Sequence, residues 1–231
     1  MKKPKKPKKL VINKAFAATV LSVIDKGLVY GLGDPVPGKM CVEAAVAFAS
    51  GENHNDHPSC VDNWLADEKI ELNDSSDWSG DKGRTKGLRR VAIAQLGSKG
   101  RFDRKLFQKK FGEKIWVIAR DAAISKFLEQ VEELKVADTP EQFNEVLPTL
   151  ELPDDFTNVF GGGPCHYNNV EEAKYALEGL FVGGQEYLEI IAETMVQVLK
   201  EMKIPGTKYL YLTEKKRRTS KKAKKRGKKR K

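Results

Sequence analysis

The chain is poor in the residues that most often announce chemistry. Its 231 residues include three cysteines and three histidines. Three cysteines at the irregular positions 41, 60 and 165 do not make a disulfide framework, which points to a reducing, cytoplasmic setting. No apolar run approaches the length of a membrane span. Near the N-terminus LVINKAFAATVLSVI is interrupted by Asn13 and Lys14, so no export signal is expected. No internal repeat is found, and no alternation of strand-like and helix-like segments of the kind that builds a parallel sheet. Helical periodicity dominates, and the expected class is all-α: a compact multi-helix domain with disordered Lys/Arg-rich tails at both ends.

Acidic residues are missing from those ends. Residues 1–9 hold six lysines, and residues 215–231 hold thirteen Lys or Arg, with no acid in either. The formal net charge of +10 therefore hides a partition. Between the tails, 23 basic residues face all 32 acids, so the middle of the chain is net −9 and the tails together are +19. KKPKKPKK and KKRRTSKKAKKRGKKRK have nothing to bury and are expected to stay extended by self-repulsion. Such arms bind polyanions by counterion release, without sequence selectivity and with steep salt dependence. Nucleic acid is the expected partner, with Lys215, Lys216, Arg217 and Arg218 among the contacts, and nucleoid association is open.

The expected organisation is a basic arm over 1–9, a helical core over 10–137, a proline-punctuated linker or flap over 138–164, a C-terminal helical pair packing on the core over 165–214, and the basic tail over 215–231. Periodicity predicts helices over 12–26, 39–50, 58–69, 84–96, 103–135, 169–179 and 185–203. The helix over 39–50 is apolar nearly all round, which marks a central element with Cys41 inside it. Pro58 suits the first position of the next helix, with Asp56 or His57 as its cap. Gly112 is a candidate kink in the 103–135 helix. Asn168 and Glu171 read as a capping box. The last helix is the most regular, with Leu188, Ile191, Ala192, Met195, Val198, Leu199 and Met202 on one stripe. KYLYLT after it is β-prone.

Four constellations carry chemical possibilities. Gly33-Asp-Pro-Val-Pro-Gly38-Lys39 has the G-x-x-x-x-G-K spacing of a phosphate loop, and Gly31, Gly33, Gly38 and Lys39 form a candidate ligand loop. Pro35 and Pro37 lack the N–H groups such a loop needs, and Met40 stands where Ser or Thr would hold magnesium, so a rigid corner is the stronger reading. Cys41, His54, Asp56, His57 and Cys60 could supply a tetrahedral zinc site. Asn73 to Ser79 with Trp78 could stack a base, with Arg84, Arg89 and Arg90 on phosphates, although Trp78 in the core is favoured. Gly161-Gly-Gly-Pro-Cys165-His166 offers a thiol beside an imidazole, but reads better as a linker. Charge is also segregated within the middle of the chain. Residues 82–114 hold twelve Lys or Arg against two acids, and residues 129–155 nine acids against one lysine. The two regions either face each other or leave a basic patch for phosphates.

Cys41-Val-Glu43 with His57-Pro-Ser-Cys60 partly resembles the zinc nucleoside deaminases, whose signature is H/C-x-E followed by P-C-x-x-C. The spacing differs and the second cysteine is missing. On that reading Glu43 would shuttle protons, and otherwise it is an exposed or capping carboxylate. The segments GLGDPVPGKMCVEAAV (31–46), LNDS (72–75) and GLRRVAIAQLGS (87–98) resemble a group of uncharacterised bacterial and phage proteins. That resemblance covers about residues 30 to 100 and implies no activity. It implies that the two loops and the helices over 39–50 and 84–96 form one unit. The expected function is that of a non-enzymatic helical accessory protein whose tails contact nucleic acid non-specifically and whose core meets a protein partner or ligand near 31–60. The alternative is a small zinc-dependent enzyme, hydrolase or deaminase-like, using the 41–60 cluster.

Overall fold

The computed structural model describes residues 10–127, 167–178, 180–181 and 184–214. The expected all-α class holds. Described residues form helices α1 (Lys14–Ile24), α2 (Val42–Ser50), α3 (Asn63–Asn73), α4 (Gly80–Ala94), α5 (Arg104–Phe127), α6 (Val170–Glu178) and α7 (Gly184–Glu201), then a 3-10 helix (Pro205–Tyr209). Extended pairing among them is limited to two isolated bridges, Leu28 with Met40 and Gly33 with Met40. No described helix is long and apolar enough to cross a membrane. The arms over 1–9 and 215–231, the 129–155 acidic region, the 138–164 segment, Cys165 and His166 lie outside the described residues.

Helix α4 is the axis of the packing. It touches α1, α2, α7 and the 3-10 helix, and its contact with α7 is the most extensive in the fold. Its second half, Val91 to Ala94, is wholly buried, whereas its first half is polar. On α7 the regular stripe is buried as its period requires, from Leu188 through Leu199. Each Leu, Ile or Met so placed contributes roughly 1.5–3 kcal/mol by leaving water. Trp64, Phe102, Phe107 and Phe111 stack in a chain where α3 meets α5, with ring centroids 5.3 to 5.8 Å apart.

Several boundaries differ from the sequence reading, each for a local reason. Helix α3 starts at Asn63 and not near Pro58, because Asp62 is its N-cap and accepts from Trp64 N. Residues 58–61 cannot be helical. The Cys60 carbonyl accepts from Gly97 N and Lys99 N, which ties this stretch to the end of α4. Cys41 is not inside α2 but at its N-cap, its Sγ accepting from Ala44 N at 3.3 Å. A thiol suits a cap that is 2% exposed, where a hydroxyl or carboxylate would have to be desolvated. Helix α4 begins four residues early, at Gly80, and carries Gly83 inside it, where Gln185 and Ser79 crowd too closely for a side chain. Gly112 is buried within α5, which runs on without a break. The cap of α6 is Asn169, whose Oδ1 accepts from Glu172 N. The β-prone KYLYLT is helical instead. Leu210 N donates to Thr207 O and Thr213 N to Leu210 O, so the segment folds into short-range turns, and the Tyr209 hydroxyl ties it to Ile12 O.

Trp78 takes its core position. It is 4% exposed, its Nε1 donates to Leu72 O at 2.8 Å, and its ring lies against Gly87 so closely that a Cβ there would overlap it. Base stacking by this residue is thereby ruled out. Gly87→Ala is expected to displace the indole and cost about 1–3 kcal/mol, the usual penalty of overpacking. Urea unfolding with tryptophan emission tests this, and an unchanged midpoint and spectrum would refute the packing described.

Candidate functional site

The 31–60 region is a braced corner. Five amides in its first loop are used internally. Asp34 N donates to Lys39 O, Val36 N to Asp34 O, Lys39 N to Val36 O, Cys41 N to Leu32 O, and Gly31 N to the Asp74 carboxylate. A phosphate cradle needs those donors free. Gly33 is required for another reason. It sits at φ 69°, and any Cβ would run into the Lys39 carbonyl. The start of α2 is closed as well, since Val42 N donates to Asn73 Oδ1 and Ala44 N to Cys41 Sγ. Neither the ligand loop of Gly31, Gly33, Gly38 and Lys39 nor an anion site at this helix end is therefore built.

The clamp is the Leu72-Asn73-Asp74 sequence at the end of α3. Asn73 accepts from Val42 N, donates to Val29 O at 2.9 Å, and has its own carbonyl held by Arg84 Nε at 2.8 Å. Asn73 thereby ties the start of α2 to α4.

Beneath the corner lies a polar cluster that sequence reasoning missed. Glu43 of α2 is fully buried. Its Oε1 accepts from Lys69 Nζ at 2.7 Å and from Gln95 Nε2 at 3.0 Å. Lys69 of α3 and Gln95, the C-cap of α4, are equally buried. Burial pushes the Glu43 carboxyl up and the Lys69 ammonium down, each opposed by the other's charge. Glu43 Oε2 and Gln95 Oε1 accept no hydrogen bond. The expectation of an exposed or capping Glu43 is thus overturned. The signal was present in α3, where Lys69 falls on the same stripe as Leu65 and Leu72.

The five candidate zinc ligands are not brought together. Among the described residues, no group of three or more His, Cys, Asp or Glu is arranged to hold a metal ion. Burial pushes the Cys41 thiol up to about 11 and the Cys60 thiol up to about 12, so both stay protonated at neutral pH and are poor ligands or nucleophiles. His54 Nε2 faces the Gly33 carbonyl at 3.0 Å, which fixes the proton on that nitrogen. His57 lies between two carboxylates, with Nδ1 and Nε2 each 2.8 Å from Asp56 and Asp67. It thereby bridges the loop to α3.

The three arginines of the expected phosphate patch are occupied. Arg84 is 5% exposed and pairs with Asp81 at 2.6 Å. Arg89 pairs with Asp25 at 2.8 Å, and Arg90 with Glu193 at 2.9 Å. Lys86 meets Glu189, and Lys110 and Lys114 meet Glu201. Much of the 82–114 basic region therefore faces acids of α1 and α7. No protein-family model, curated protein or solved structure matches the chain.

Two predictions follow from this geometry. Lys69→Met leaves a carboxylate buried without its counter-charge and should cost about 3–5 kcal/mol. Adding Glu43→Gln removes both charges, keeps a partner for Gln95, and should recover most of the loss. Urea unfolding of the four proteins in this cycle reads the coupling, and purely additive losses would deny it. The second concerns pH. Asp67 and Asp56 raise the His57 pKa above its ordinary 6.5. The bridge therefore adds stability in full below that value, and the contribution is lost as pH rises through the raised pKa. It should be small, because His57 is 41% exposed. Melting curves of wild type and His57→Asn should converge at high pH and separate below neutrality, and parallel curves would refute the bridge.

Proposed function

We propose that the protein is a helical accessory protein that acts by binding, held on nucleic acid without sequence selectivity by its two polycationic ends. The observation that carries this reading is the charge partition, +19 in the two ends against −9 between them. The chain between the ends is net negative as a whole, so the ends supply the attraction to a phosphate backbone through counterion release. The arrangement of α4 supports the reading from the other side. Arg84, Arg89 and Arg90, the rival contacts, already hold intramolecular acids. The body contributes a surface for a protein partner. Tyr30, Leu32 and Val36 project to solvent from the braced 28–40 corner, between 40% and 65% exposed.

Removing residues 1–9 and 215–231 should lower affinity for random-sequence DNA by roughly three orders of magnitude at low salt and flatten the salt dependence. Fluorescence anisotropy across a salt series measures both quantities. Undiminished binding by the shortened protein would move the contact to the helical body and refute the reading.

A further inference from the structure

The turn between α4 and α5 carries cations that the helices beside it do not neutralise. Lys99, Arg101, Arg104 and Lys105 fall within seven residues, with Asp103 the one acid among them. All four are exposed. Lys99 donates to the Asn63 side-chain oxygen at 2.7 Å. Arg104 lies over the Trp64 ring at 4.8 Å, with the Glu68 carboxylate in reach of its charge. Arg101 and Lys105 form no ion pair among the described residues, unlike Arg84, Lys86, Arg89 and Arg90 of α4. The nearby acids are engaged elsewhere. Asp103 Oδ1 accepts from Leu106 N at 3.0 Å at the start of α5, and Asp62 Oδ1 from Trp64 N at 3.2 Å at the start of α3. Each faces the positive end of a helix, which offsets part of its charge.

The backbone beneath these side chains is fixed. The Cys60 carbonyl takes Gly97 N and Lys99 N, and the carbonyl of buried Ser98 takes Arg101 N and Phe102 N. The Ser98 hydroxyl accepts from Asp62 N at 2.8 Å. A turn held in this way loses little backbone entropy when a ligand covers it. The same side of the body carries the root of the N-terminal arm. The described residues begin at Leu10, and Ile12 and Pro205 both pack against Gly97, two residues before Lys99. Residues 1–9, with their six lysines, join the body beside the turn. A chain of that length spans roughly 30 Å at full extension, so a polyanion held by the arm is held within reach of the turn.

We propose that the α4–α5 turn, through Arg101 and Lys105, is the body's own contact for the phosphate backbone of a nucleic-acid duplex. The inference rests on the function proposed above and adds a defined surface to it. The rings beside the turn select the duplex. Single strands are held largely by bases stacked on open aromatic faces. Here Trp64 carries Arg104 and stacks on Phe102 at 5.8 Å, and Phe102 lies against Phe107 at 5.3 Å. The rings are spent on one another, and the exposed cations meet the backbone. The Arg101 guanidinium offers a phosphate two parallel donors, and the Lys105 ammonium meets it as a point charge.

The test uses the full chain and a fluorescent random-sequence DNA duplex, with a thymidine oligonucleotide of equal length as comparison. Arg101→Gln with Lys105→Gln should weaken duplex binding about tenfold at low salt and reduce the slope of log affinity against log salt by roughly 1.8, at about 0.9 per phosphate contact. Arg101→Lys with Lys105→Arg keeps both charges and should keep both values. Lys26→Gln with Lys82→Gln makes the same change in net charge at the other end of the 15-residue α4, and should leave the slope as it is. Equal losses from the two glutamine pairs would reduce the effect to net charge and overturn the turn as a contact. A larger loss on the single strand than on the duplex would also overturn it. Unchanged affinity and slope at the turn, in a protein whose binding still needs its ends, would overturn the turn and leave the function proposed above intact. If removal of 1–9 and 215–231 changes nothing while Arg101→Gln with Lys105→Gln lowers binding, the reading of the ends falls and the turn stands alone.

Discussion

A carboxylate without access to water constrains everything around it. Glu43 sits at the centre of the helical body, and its Oε1 is met by one group from α3 and one from the end of α4. The attraction of such a pair does not by itself repay the desolvation of both ions. Its structural consequence is one of position. A shift of α2 by one residue would carry Glu43 away from Lys69, leaving two uncompensated charges in the core. The relative placement of α2, α3 and α4 is therefore set more sharply than apolar packing alone would set it, since apolar surfaces tolerate sliding and repacking. The two unpartnered acceptors beside the pair, Glu43 Oε2 and Gln95 Oε1, mark the cost at which that placement is kept.

The corner above depends on the same helix. Lys69 and Asn73 are one helical turn apart on α3, so the element that holds the buried charge also presents the clamp. Through Asn73 and Asp74 the clamp reaches Val29, Gly31 and Val42, and Arg84 locks it from α4. The loop over 28–41 is thus fixed at both ends and along its own amides. A loop so fixed loses little conformational entropy when a partner covers it, which favours a binding role for the apolar side chains it exposes.

How much of this was legible depends on whether a signal was local. The α7 stripe needs only its own period, and it was read correctly from Leu188 to Leu199. The start of α3 was misread because Pro58 carries a strong local helix-start signal. The decisive fact, that Gly97 and Lys99 take the Cys60 carbonyl, lies almost forty residues away. Cys41 and Glu43 were read from the apolar character of their helix. That reading gave burial for the cysteine but could not give the cap, or the lysine that makes a buried glutamate tolerable. KYLYLT shows the opposite error. Its β propensity is real, but a propensity without a neighbouring edge yields to short-range turns. The glycines of the phosphate-loop pattern were rightly doubted because of Pro35 and Pro37, while the close approach to Lys39 that requires Gly33 had no sequence signal.

Counting charges along a chain does not say which are available. The arginines of α4 are structural. A guanidinium can hold a carboxylate and a backbone carbonyl together through its several donors, as Arg89 does with Asp25 and Thr213. Close to them two lysines, Lys26 and Lys82, face solvent. Within 82–114, Arg84, Arg89, Arg90, Lys86, Lys110 and Lys114 each hold an acid, whereas Lys82, Arg101 and Lys105 are exposed, so the density of charge along the chain does not tell the two groups apart.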